Sequence, residues 1–265
     1  MRLRDTSRIL GVVLRVGLAV GAMMSICSAQ RKSEPRTQLL DAAQGEKEAR
    51  ALVADLLSRK PDQSSTNTGT LKIRDANDKR TEIPVRFEVF STPTNWVSVY
   101  QTLPGEAGPK AERLVVVHAE SQPNQYQLLK GDKNSVLTGK ETMIPFVGSD
   151  FLAADLGLEF LHWPQQRVLK KEMRRSQFCD VLESLNPNPP PNGYKRVVAW
   201  IDPDNGAIVH AEAFDERNDL VKNFDPTELK KVNGQYQLEE MEIRNRKTGS
   251  HTWVKFNLQA MAGNR

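Results

Sequence analysis

Residues 195–214 read KRVVAWIDPDNGAIVHAEAF, two apolar arms around Pro203, Asp204, Asn205 and Gly206. Arms rich in Val, Ile and Trp, joined by a short run of turn-forming residues, predict a tight β-hairpin. In the first arm Tyr194, Val198 and Trp200 fall on one face and Val197, Ala199 and Ile201 on the other. In the second, Val209, Ala211 and Ala213 oppose Ile208 and Phe214. Both faces carry apolar side chains, so neither is expected to lie wholly open to water.

The same grammar continues downstream. DERND turns into LVKNF, KVNGQ leads into YQLEEMEIRN, and RKTGS leads into HTWVKFNL. Inside YQLEEMEI the apolar phase slips between Leu238 and Met241, as a β-bulge requires. Upstream, LVVVHA is apolar on both faces and reads as a central strand. Ile83, Val85, Phe87 and Val89 line one face of another strand, and Leu71 and Ile73 belong to the strand before it. Ser64 to Gly69 reads as a polar connector. Leu39, Ala42, Ala43, Ala49, Leu52, Val53, Leu56 and Leu57 recur at helical spacing and stop before Pro61, which predicts one amphipathic helix. The Pro-rich NPNPPPNG joins two strand-like segments and reads as a long surface loop. The expected fold is α+β, a long antiparallel meander with one N-terminal helix and a short helical insert, in a single domain over 30–265.

That insert is FVGSDFLAADLGLEFLHW, residues 146–163. So many large apolar side chains in a short, glycine-broken segment would form an adhesive patch if exposed. They either pack on the sheet as ordinary core or close over a ligand cavity, and the two readings are compatible.

The first 29 residues have the three parts of a secretory signal. Arg2, Arg4, Arg8 and Arg15 precede an apolar run from Val16 to Ile26, and Ser28 and Ala29 form a small-residue exit. The apolar run is too short to span a bilayer of roughly 30 Å. Cleavage after Ala29 would start the mature chain at Gln30 and place it in the periplasm. The rival reading is a lipoprotein anchored through Cys27, against which stands the bulky Ile26. Removal of this segment takes +3 of the formal +4 charge and leaves +1. A near-neutral domain lacks the basic footprint of a nucleic-acid binder. Lys170, Lys171, Arg174 and Arg175, interrupted by Glu172 and Met173, read as a solvated strand face. Only Cys179 remains after the signal, so no disulfide within the mature chain is possible.

Signals for chemistry are weak. Asp202, Asp204 and Gly206 resemble the opening of a calcium loop, but its later ligands and closing Glu are missing. His118, His162, His210 and His251 are scattered through separate elements with no local partner, so no metal is expected. Ser149-Asp150 lacks the glycine elbow of a hydrolase nucleophile and reads as the cap opening a short helix. Neither catalytic residues nor a cofactor are expected.

From about Phe146 to Leu258 the order GSDF…ADLGLEFLHWP, a polar strand pair, VVAWIDPDNGAIVHAEAFDERNDLVKNF and NGQYQLEEMEIRNRKTGSHTWVKF resembles the outer-membrane lipoprotein-sorting proteins of the LolA/LolB-like group. The resemblance implies an unclosed antiparallel β-barrel whose concave apolar face holds lipid or lipoprotein acyl chains, with helices as a lid. Phe146, Phe151, Leu152, Leu156, Phe160, Leu161 and Trp163 of the insert, with Trp200 of the hairpin, are the candidate apolar ligand-binding or lid residues. The expected partners are an acyl chain or lipid and an envelope protein, with the chain itself a monomer. The alternative function is an envelope sensor or protein-interaction module built on the same half-barrel.

Overall fold

The computed structural model describes residues 37–61, 64–92, 94–103, 111–119, 122–232 and 235–258. The expected signal segment, Cys27, the Ala29–Gln30 junction and the polar leader to Arg36 lie outside the described residues.

Among the described residues, fourteen strands form one antiparallel sheet. They are β1 (Thr37–Leu39), β2 (Ser65–Arg74), β3 (Arg80–Ser91), β4 (Asn95–Thr102), β5 (Glu112–Ala119), β6 (Gln122–Lys130), β7 (Lys133–Leu137), β8 (Gln165–Arg174), β9 (Gln177–Leu185), β10 (Arg196–Ile201), β11 (Ile208–Phe214), β12 (Leu220–Val232), β13 (Gln235–Asn245) and β14 (His251–Phe256). Their spatial order is β1-β8-β9-β10-β11-β12-β13-β14-β2-β3-β4-β5-β6-β7, so the sheet is not closed. Two meanders, β2 to β7 and β8 to β14, meet along the seam where Val254 of β14 faces Leu71 of β2.

This order explains the apolar insert. The chain leaves β7 at one edge of the sheet and must reach β8 next to the other edge. Its only short route crosses the concave face, so residues 138–164 must be apolar enough to lie on a core. The helix α1 (Ala42–Ser58) covers the same face near β8, burying Gly45, Ala49, Leu52 and Val53. Asp41 caps it by accepting from the Gln44 backbone N–H at 2.9 Å. Gly45 is required there, since a Cβ would collide with the Val168 carbonyl of β8.

Several expectations change, and Tyr194 is one, since it lies with Val197 on the concave side, apart from Val198 and Trp200. Leu39 is not part of the helix: it ends β1 and lies 78% exposed, because the chain first pairs with Lys170 of β8. The polar stretch from Ser65 is strand rather than connector, since its ladder to β3 runs from Ser65↔Val89 and asks nothing of side-chain polarity. Val209 leaves the face of Ala211 and Ala213. The register shifts where Trp200↔His210 gives way to Ile201↔Ile208, and Val209 joins Val198 and Trp200 on the outer face. The slip expected after Leu238 is present, where the pairing jumps from Glu228↔Glu240 to Leu229↔Leu238.

Candidate functional site

The crossing segment is built from short pieces. These are 3-10 turns at Gly139–Met143, Phe146–Gly148 and Glu159–His162, with one short helix, α2 (Ala153–Leu156), between the last two. Two of its non-glycine residues hold left-handed backbones, Val147 at φ 46°, ψ 33° and Leu158 at φ 52°, ψ 43°. Side chains with a Cβ reach that region at a cost of roughly 1–2 kcal/mol, and a β-branched one is a clear outlier. Ser149 does not cap α2 as expected. Its hydroxyl accepts from the Phe151 N–H, while the Asp155 carboxylate caps the helix through the Leu152 N–H at 2.8 Å.

Beneath this lid lies an apolar cavity of about 110 Å³. Phe151, Leu156, Phe160 and Trp163 roof it, and Val197, Ala211, Met241 and Ile243 form part of its floor. A second cavity of about 80 Å³ adjoins it toward the C-terminal end of α1, and Leu161 lines that one. Phe146 and Leu152 sit in the packed core on either side and line neither. Trp200 does not share the site. Val197, Ala199 and Ile201 of β10 face the lid, so alternation sends Trp200 outward. There its indole donates to Glu172 at 2.5 Å and Arg174 lies over its ring. The neighbouring basic residues are paired as well, Lys170 with Glu172, Lys171 with Glu48 and Asp180, and Arg175 with Asp225.

The lid is fastened to the wall by polar groups spread along the chain. Lys222 projects from β12 onto the concave side, donates to the Asp150 carbonyl at 2.5 Å and pairs with Asp155 at 3.5 Å. Tyr194 donates to the same carboxylate at 3.2 Å. Asp150 in turn accepts from Ser250 and Thr252 of the β14 end. On the other wall Tyr100 donates to the Leu156 carbonyl, Asn124 to the Gly157 carbonyl and Tyr126 to Glu159. Burial pushes the Glu159 carboxyl up, and the Tyr126 hydroxyl partly offsets that shift. Sequence reading missed all of these groups, which lie some 33 to 102 residues from their partners.

Ser98, His118 and Asn124 form a hydrogen-bonded chain, with Ser98 Oγ to His118 Nε2 at 3.1 Å and His118 Nδ1 to Asn124 Oδ1 at 2.9 Å. Its outline matches a nucleophile, base and orienting amide. Burial, however, lowers the His118 pKa to about 4, far below the neutral range where a general base works best. The Asn124 amide N–H is also committed to the lid carbonyl. The chain therefore ties lid to wall.

It also fixes a pH dependence. Native His118 binds fewer protons than the unfolded chain between about pH 6.5 and 4, so its contribution is complete above 6.5 and is lost as pH falls through that window. The full loss is about 3 kcal/mol. Desolvation lowers His162 and acts in the same direction, whereas the raised Glu159 opposes it. Urea melts from pH 7 to 4 should show the decline, and His118→Gln should flatten it. An equal slope in the variant would place the titration elsewhere.

A family model described as "-like: Uncharacterized protein" matches residues 114–261, more than half the chain, and the chain belongs to that family. No curated protein matches the sequence. Among solved structures, a DUF1329 family protein from Desulfovibrio piger is similar at 17% identity and a TM-score of 0.65, covering 83% of this chain and 95% of that one. A domain described as outer membrane lipoprotein-sorting, from Vibrio parahaemolyticus, is similar at 17% identity and a TM-score of 0.66, covering 85% and 95%. A LolA superfamily protein from Nitrosomonas europaea follows at 14% and 0.52, covering 81% and 92%. The fold is therefore LolA-like, an unclosed antiparallel half-barrel with few helices.

Proposed function

We propose that this chain is an exported periplasmic carrier that binds an acyl chain or a comparable apolar ligand between the concave sheet and the 146–163 lid, without catalysis. The observation that carries this reading is the construction of the lid. It roofs an apolar cavity, holds two non-glycine residues in left-handed conformations, and is fastened by discrete polar contacts beside the packing of Phe146 and Leu152. Strain of this kind persists where surrounding contacts hold it and often marks parts that move. A cavity of about 110 Å³ is smaller than the roughly 150 Å³ that admits a benzene-sized guest. A chain of many methylenes enters only when the lid lifts, and each buried CH₂ then contributes about 0.8 kcal/mol.

Export implies a start at Gln30, which the intact mass of the protein from its native cell reads directly. A diacylglyceryl-modified Cys27 at the N-terminus would replace that part of the reading with a membrane-anchored carrier.

Phe160→Ala tests the function. A core phenylalanine costs roughly 3–5 kcal/mol when trimmed. Phe160 borders a hollow, so its loss should cost less in a urea melt, while affinity for a fluorescent acyl probe falls by more than unfolding accounts for. A wild type that binds no acyl probe at micromolar concentration, beside a variant that merely unfolds, would end the carrier reading. Cross-linking of an empty half-barrel to an envelope protein would favour the sensor or interaction reading instead.

A further inference from the structure

The two cavities beneath the lid differ in charge. Asp155, Glu159 and Glu212 line the larger one, opposed by Lys222 alone. The smaller one is lined by Arg59 and Lys60, and no carboxylate borders it among the described residues. Arg59 is held in place by Asp55 and by the Pro203 and Asp204 carbonyls of the β10–β11 turn. Trp96 also lines this cavity, stacked on His118 with ring centroids 5.0 Å apart. Trp96 is only 3% exposed, yet its indole Nε1 has no hydrogen-bond partner. A buried N–H left unpaired is costly, and such groups in folded proteins call for a specific explanation. His118, Leu158 and Ile208 line both cavities, so the partition between them includes the strained Leu158.

We propose that the smaller cavity is a head-group subsite for the carboxylate of a single-chain amphiphile, bound through the Trp96 indole N–H at an Arg59- and Lys60-lined rim. This rests on the carrier reading and gives its ligand a polarity. The apolar chain lies in the larger cavity, whose carboxylates would repel an anionic head, and the head lies in the smaller one. Movement of Leu158 with the lid joins the two spaces. A free short carboxylate shares the head-group chemistry, and the experiment separates it from a lipid.

The test compares cis-parinaric acid with its methyl ester by fluorescence titration, on wild type and Trp96→Phe. A hydrogen bond to a charged group corresponds to about tenfold or more in affinity. Wild type should therefore prefer the acid by about tenfold, and Trp96→Phe should lose most of that preference, read as the ratio of its own affinities for acid and ester, with a thermal melt confirming that the variant is folded. In parallel, the indole N–H resonance of Trp96, identified by its absence in the variant, should move on adding the acid and stay in place with the ester. Equal affinity for acid and ester in wild type, or an unmoved indole signal with the acid bound, overturns the subsite and leaves the carrier reading standing. Failure of wild type to bind either probe ends the carrier reading instead. The amphiphile subsite falls with it, and a Trp96 signal that shifts with butyrate alone would mark a site for free short carboxylates.

Discussion

Lys222→Met is expected to lower the unfolding free energy by about 3 kcal/mol, because removing one partner of a buried pair leaves the other charge uncompensated. Lys222 is 7% exposed and lines the cavity on the concave side. Its ammonium group joins two lid residues, the Asp150 carbonyl and the Asp155 carboxylate. Without it, Asp155 keeps only the Tyr194 hydroxyl and the Leu152 N–H. For a domain of this size the loss corresponds to a fall in Tm of about 6–12 °C. Adding Asp155→Asn should restore most of it, since the amide oxygen still accepts from Leu152 and Tyr194 but no charge remains. Double-mutant coupling near zero, or a single variant melting with wild type, would mean that the pair contributes nothing to holding the lid.

Gly157→Ala should act on the lid and spare the sheet. The Gly157 backbone, at φ −92° and ψ −3°, suits alanine, so the conflict is one of space alone. A Cβ there would lie 2.6 and 2.7 Å from ring carbons of Tyr126. That ring cannot swing away cheaply, because its hydroxyl is tied to Glu159 and Asn124. The lid must rise instead, and the bonds Asn124 to Gly157 and Tyr100 to Leu156 weaken with it. Two or three lost hydrogen bonds, at about 1 kcal/mol each, raise the open population on the order of tens of fold. Stopped-flow association of an acyl probe should speed up by a similar factor while far-UV circular dichroism stays unchanged. An unaltered association rate would show that lid opening does not limit access.

What was legible in the sequence was local. The 202–206 turn is marked by its own residues, whose side chains close it: Asp202 accepts from the Asp204 N–H and the Asn205 amide, and Gly206 takes φ 75°. The helix α1 declared itself by apolar spacing, and the 146–163 insert by its density of large side chains. The meander order followed from the turns. Less legible was anything set by register. The irregularity at Trp200 and Ile201 moved Val209 to the other face, and no composition cue marks it. Ser65 to Gly69 became strand because β3 pairs along its whole length, with β14 joining at Gly69. The fastening groups were invisible for a different reason. Lys222 and Asp155, or Tyr126 and Glu159, meet only once the chain between β7 and β8 crosses the concave face. No pattern within a short window encodes such a meeting. Trp200 is a candidate on the resemblance alone, and strand alternation places it outside.

The central claim is that an apolar chain lies between lid and sheet, and photo-cross-linking with a diazirine-bearing palmitate tests it most directly. After irradiation and peptide mapping by mass spectrometry, adducts should fall on Leu156 or Phe160 of the lid and on Ala211 or Met241 of the floor. Excess unlabelled palmitate should abolish them. Adducts confined to the exposed Met173 and Phe178 of the outer rim, or none that unlabelled palmitate can displace, would contradict it.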